Sequence, residues 1–271
     1  MLKTFFALPA DVYKNRRLVM KLAKNDFKTR YAGSYFGTFW AFVQPIVTIM
    51  VYWFVFSVGF RQNTKGIGVP FVLYLVAGIV PWFFFQDALV GGTNALLEYN
   101  YLVKKVVFNI SVLPIVKILS ALFVHGFFVV FTIILYAGYG RLPDWYVLQI
   151  FYYSACVFVL ATGVVYVTCA VVVFFRDLTQ IINIALQVGV WLTPIMWVAE
   201  DSLQGHPLIQ KLLQLNPMYY IVSGYRDALI MKRWFFERPL WTLYFWVFAA
   251  LCFLFGNWVF KRLRVHFADV L

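Results

Sequence analysis

The 271-residue sequence predicts an all-α polytopic membrane protein with six transmembrane helices, an N-terminal amphipathic interface helix and a re-entrant external helical hairpin. Three observations carry that expectation. First, 63% of the residues are hydrophobic and 13% are charged, against about 45–50% and about 25% in soluble domains. A globule of this size cannot hide so much apolar surface. That excludes an ordinary soluble enzyme, a disordered tail and a secreted disulfide scaffold. Second, long apolar runs recur, each near or above the ~20 residues that cross ~30 Å of hydrocarbon. None alternates with the period of two that a barrel strand needs. Third, the 23 Lys and Arg against 11 Asp and Glu are unevenly distributed along the chain.

Residues 1–35 read as a cytoplasmic N-terminal segment with an amphipathic helix over 9–30. At 100° per residue, Lys14, Arg17, Lys21, Lys24 and Lys28 share one stripe, and Leu18, Val19, Leu22, Ala23 and Phe27 centre on the opposite side. Such a helix lies flat in the interface. Pro9 suits its first turn. Asp26 and Arg30 break the pattern on the apolar side, which points to a protein contact there. The apolar patch at 5–8 is too short for a signal peptide.

Residues 36–271 read as a transmembrane domain with spans at 36–60, 71–92, 112–138, 146–175, 180–198 and 240–260. The fourth exceeds the membrane thickness and is expected to tilt or protrude. Residues 1–35 carry eight Lys and Arg; Lys104, Lys105, Arg176, Lys261, Arg262 and Arg264 fall on the same side, for fourteen in all. The short loops opposite hold Arg61, Lys65 and Arg141. Cytoplasmic loops collect basic residues, so both termini are expected in the cytoplasm.

The segment 199–238 holds two short amphipathic stretches, 207–215 and 217–231, neither long enough to span. Asn216-Pro217 is a start signal, with Asn as cap and Pro in the first helical position. Tyr219, Tyr220 and Tyr225 supply amphipathic aromatics. Arg226 and Asp227 supply charges that must face protein or water. The segment reads either as a packed external loop or as a helical plug, an exit gate.

Motifs for chemistry are absent. There is no G-x-x-x-x-G-K-[ST], no H-E-x-x-H and no G-x-S-x-G, so no catalytic residue, cofactor or metal is expected in this chain. His125, His206 and His266 lie far apart, and Cys156, Cys169 and Cys252 sit in apolar runs as small hydrophobes. Asp87, Lys117 and His125 are the ionisable groups within spans, where charge is costly. A proton relay would use such groups. Lys117 is also placed to snorkel, His125 to bond a neighbouring helix, and Asp87 either to pack or to line a pore.

Several stretches resemble one family. Asp26-Phe27-Lys28-Thr29-Arg30-Tyr31-Ala32-Gly33-Ser34-Tyr35-Phe36-Gly37-Thr38-Phe39-Trp40 with Gln44-Pro45, then Ala77-Gly78-Ile79-Val80-Pro81-Trp82, Phe175-Arg176-Asp177-Leu178, and Leu215-Asn216-Pro217-Met218-Tyr219-Tyr220, resemble ABC exporter permeases for cell-surface polysaccharides. Trp234-Phe235-Phe236-Glu237 and Thr242-Leu243-Tyr244-Phe245-Trp246 look like the teichoic acid export branch. The O-antigen and capsule permeases share most of the pattern. The resemblance implies a non-catalytic half-transporter working as a homodimer with two copies of a separate P-loop ATPase. ATP and Mg would sit on that ATPase, and the cargo would be a lipid-linked polymer. Asn100, Tyr101, Lys104 and Lys105 would form a coupling loop to the ATPase, with Arg176 and Asp177 a second contact. The hairpin would be the external gate.

A long polymer needs a continuous path with weak holds at many points, and aromatic faces provide them. Candidate liners are Phe39, Trp40, Phe42, Tyr52 and Trp53 on the first span and Trp191 and Trp197 on the fifth. A polyanionic teichoic acid would also be drawn to a basic inner rim. The rivals of other classes are a proton-coupled small-molecule transporter, which needs Asp87 or His125 to titrate, and a membrane-embedded transferase, for which the loops lack an acid cluster.

Overall fold

The computed structural model describes residues 12–30, 32–60, 67–103, 109–203 and 205–270. Every regular element among them is helical. The helix α1 (Arg16–Thr29) precedes α2 (Trp40–Trp53), which opens from a 3₁₀ turn at Gly37–Phe39 and continues as a π-helical turn at Phe54–Gly59. Then follow α3 (Phe71–Glu98), α4 (Leu113–Gly138), α5 (Gln149–Val172) and α6 (Leu178–Leu192). The hairpin contributes α7 (Pro207–Gln214) and α8 (Pro217–Arg226), the latter extended by a π turn at Asp227–Met231, and α9 (Pro239–Leu263) follows it.

Among the described residues, five helical segments are long and apolar enough to cross a membrane, at Gly37–Gly59, Phe71–Glu98, Ile110–Gly138, Trp145–Val172 and Pro239–His266. The run expected as a further span, at 180–198, does not reach that length as one helix. The run at 180–198 is helical only as α6, 15 residues long, or about 22 Å at 1.5 Å per residue. That falls short of ~30 Å of hydrocarbon. Pro194 is the cause. The residue before a proline avoids the helical region, and Thr193 is extended at φ −86° and ψ 125°. The apolar residues beyond it lengthened the run in sequence without lengthening the helix.

The hairpin stretches are helical close to the expected bounds. Asn216 caps α8 by accepting from the Met218 N–H at 2.9 Å, and Pro217 takes the first turn, where its missing N–H costs nothing.

α3 is the central post. Leu73, Leu75, Val76, Ala77 and Ile79 are wholly buried on it, among α4, α5 and α8. α5 and α9 cross at glycines: a Cβ on Gly256 would stand 2.4 Å from the Gly163 carbonyl oxygen. Without a hydrophobic drive between helices in lipid, such close backbone approach is what holds a crossing. α2 and α6 sit at the periphery and bury little, Ala41 and Ile49 on one and Ile182 and Leu186 on the other.

Candidate functional site

Between α2, α3, α4 and α6 lies a cavity of about 610 Å³. Each wall follows from helical spacing. On α6, Gln180, Asn183 and Gln187 fall at i, i+3 and i+7 on one stripe, and all three line the cavity. On α2, Gln44 and Thr48 are one turn apart and line the facing wall, flanked by Trp40 and Tyr52. α3 adds Trp82, Phe83, Gln86 and Asp87. Gln44, Gln86, Gln180 and Gln187 are exposed. None of these carboxamides, nor that of Asn183, spends a donor or acceptor on another described residue. An amide facing hydrocarbon without a partner costs several kcal/mol, roughly 4–8 by transfer to an alkane. Five of them on one concavity therefore mark a wet surface, where their donors and acceptors meet hydroxyl groups.

A charge network closes one end of this surface. Arg30 Nη1 lies 2.7 Å from both carboxylate oxygens of Asp87, so one cavity-lining carboxylate is held from the end of α1. Lys117 on α4 bonds both Asp26 of α1 and Glu98 of α3. The Tyr99 hydroxyl donates to Asp26 at 2.8 Å. Burial alone would raise the Asp26 pKa, but the Lys117 ammonium outweighs it, aided by the Tyr99 hydroxyl, and the carboxyl is held below its usual range. Burial, then the Asp26 carboxylate, pushes the Tyr99 hydroxyl up. The polar break in α1 thus does make a protein contact, and that contact is within the chain. Lys117 is buried rather than snorkelling, and Asp87 both packs and lines.

The remaining predicted residues are placed as follows. Lys14, Arg17, Lys21, Lys24 and Lys28 are all exposed, with Val19 and Ala23 turned inward. Asn100, Tyr101, Arg176 and Asp177 are exposed as well. By the alternation of the helices they share the end of the bundle that carries α1. Lys104 and Lys105 lie outside the described residues. Of the proposed liners, Trp40 and Tyr52 reach the cavity. Phe42 instead packs on Phe127 at 4.3 Å between centroids. Phe39, Trp53 and Trp191 are exposed but are not among its lining residues. Trp197 lies beyond α6 and donates from Nε1 to the Trp191 carbonyl at 3.1 Å.

The hairpin residues turn inward. Tyr225 bonds Ser154 at 2.7 Å and His125 Nε2 at 3.0 Å, so His125 is indeed tied to neighbouring helices. Tyr220 bonds Tyr152 and Thr242, each at 3.1 Å. Tyr219 stands edge-on to Trp241 at 5.6 Å. Arg226 is buried and donates to the Pro194 and Ile195 carbonyls at 2.7 and 2.8 Å.

Sequence reasoning missed the carboxamide wall. Its signal was present as the i, i+3, i+7 spacing of Gln180, Asn183 and Gln187 inside an otherwise apolar run.

Comparison with known proteins adds identity to geometry. Residues 17–230 match the family described as ABC-2 type transporter. The chain is similar to an O-antigen export system permease protein RfbA of Myxococcus xanthus, 26% identical over 97% of this chain and 98% of the relative. It is also similar to an O-antigen export system permease protein RfbA of Klebsiella pneumoniae, 24% identical over 94% of this chain and 95% of the relative. Both relatives are named for O-antigen export, and neither for teichoic acid.

Proposed function

This chain belongs to the ABC-2 type transporter family, and we propose that it is the membrane-embedded permease subunit of an O-antigen-type polysaccharide exporter. The observation that carries this reading is the end-to-end similarity to O-antigen export permeases. The cavity supports it, since a strip of unpaired carboxamides and aromatic rings is what a sliding glycan needs: many weak holds with hydroxyl partners. A teichoic acid cargo draws support from two sequence motifs, at 234–237 and 242–246, and from nothing in the comparisons.

In this reading the chain does no chemistry. A separate P-loop ATPase, binding ATP and Mg, docks on the α1 end through the exposed basic stripe, the 98–111 loop and the Arg176–Asp177 turn. Both termini are cytoplasmic. The apolar outer faces of α2 and α6, with Val47, Met50 and Val51 on one and Ile181, Ile184 and Val188 on the other exposed, meet a second copy. The two cavities then join into one path for a lipid-linked polymer, and the hairpin gates its far mouth.

Co-expression with a P-loop ATPase encoded alongside, followed by reconstitution, tests this. The complex should translocate a lipid-linked polysaccharide only with ATP, and the chain alone should hydrolyse none. Transport driven by a proton gradient without nucleotide, and abolished by Asp87→Asn or His125→Gln, would instead establish the proton-coupled rival.

A further inference from the structure

We infer that the cavity is built for an uncharged glycan and discriminates against a polyanionic one, an inference that rests on the polysaccharide path proposed above. The polar groups on its walls are overwhelmingly neutral amides and hydroxyls: Gln44, Thr48, Gln86, Gln180, Asn183 and Gln187. Each carboxamide offers two donors and an acceptor, a match for sugar hydroxyls, which both give and receive.

The formal charge on the described lining is a carboxylate, Asp87. Its Arg30 partner, 2.7 Å away, makes a closed pair rather than a free cation. The second cation at this end, Lys117, is buried and bonded to Asp26 and Glu98. His125, also in the wall, has its Nε2 committed to Ser154 and Tyr225. The basic stripe of α1 faces the opposite way, because Val19, Ala23 and Asp26 are the residues α1 turns toward the bundle.

A phosphate or sulfate entering the cavity would lose hydration and find no described guanidinium or ammonium to replace it, and desolvating an anion without a partner is costly. A neutral sugar loses less. Its hydroxyls gain amide partners, and its apolar ring face gains Trp40, Tyr52 and Trp82.

The test is saturation-transfer NMR on the complex with its ATPase in detergent at about 0.15 M salt, where surface charges are screened beyond ~8 Å. The probes are an isomalto-oligosaccharide of ten units and the same oligosaccharide sulfated. The neutral probe should bind, the sulfated one at least about tenfold more weakly, and Gln180→Lys with Gln187→Lys should reverse the order while ATPase pull-down is retained. Equal binding of both probes, unmoved by the lysines, would overturn the charge selectivity and leave the glycan path standing. Binding of neither probe would overturn both.

Discussion

Arg226 donates from Nη1 to the Pro194 carbonyl at 2.7 Å, so the second hairpin helix holds the backbone at the point where α6 breaks. Nη2 takes the Ile195 carbonyl at 2.8 Å, and the guanidinium lies 3.5 Å from the centroid of the Tyr74 ring on α3. A proline break strands carbonyls, here at the buried Pro194 and Ile195, and one planar fork satisfies two of them. Arg226→Ala leaves both unpaired at ~1–3 kcal/mol each and removes a cation–π contact worth ~2 kcal/mol when desolvated. A loss of at least about 4 kcal/mol in thermal unfolding of the detergent-solubilised chain is expected. Arg226→Lys should recover less than half, because an ammonium cannot span both oxygens. A variant with unchanged stability would show that the break supports itself.

Lys117 should behave as the keystone of α1. Its ammonium and the Asp26 carboxylate are both almost fully buried, so Lys117→Met strands a buried charge at ~3–5 kcal/mol, and Lys117→Met with Asp26→Leu should recover much of that. The pH dependence has a definite sign. The Asp26 pKa is lowered in the folded chain from an ordinary 3.8, so its contribution is fully present above 3.8 and is lost as pH falls through the lowered value. Docking of α1, read by hydrogen exchange, should owe nothing to Asp26 titration at neutral pH and weaken only in strong acid.

The Arg30–Asp87 pair is partly exposed, so its coupling should be modest, about 1 kcal/mol in a double-mutant cycle. Its consequence is positional. Asp87→Asn and Arg30→Gln should each lower transport by the ATPase-bound complex severalfold with little change in melting temperature. The swap Arg30→Asp with Asp87→Arg should restore part of it. A swap no better than the single variants would mean that the pair does not act as a unit.

Much of this was legible in the chain. Hydrophobic length placed the helices, because membrane thickness imposes a length and little else competes with it. The cap at Asn216-Pro217 placed α8, because capping is local. Amphipathicity placed the stripe of α1 correctly and flagged Asp26 and Arg30 as misfits. What could not be read was the partner of each misfit. Asp26 meets Lys117 across 91 positions and Arg30 meets Asp87 across 57, and one sequence carries no record of such pairings. α6 is shorter than the apolar run that contains it, because hydropathy sums across Pro194, whose effect on Thr193 is steric rather than hydrophobic. The amphipathic character of the hairpin tyrosines leaves a packed loop and a gate equally open, since the same hydroxyls serve in a buried network, as Tyr225 does with His125 and Ser154.

Gly224 is where the hairpin is most sharply specified. A Cβ there would lie 2.1 Å from Cε1 of Tyr153 on α5, far inside contact distance. The ring is not free to swing away: Tyr153 is buried, edge-on to Tyr220 at 5.6 Å and tilted against Tyr225 at 6.3 Å. Gly224→Ala should therefore cost ~1–3 kcal/mol by overpacking, and Gly224→Val more. Because the clash is with one ring, Tyr153→Leu should be worse than wild type in the glycine background, by opening a cavity. In the alanine background it should be better than Gly224→Ala alone, giving a coupling of opposite sign to either single effect. Melting temperatures of the four proteins decide it. Simple additivity would mean that α8 shifts off α5 to accept the methyl, and the contact between hairpin and bundle would then be a sliding one rather than a fixed seat.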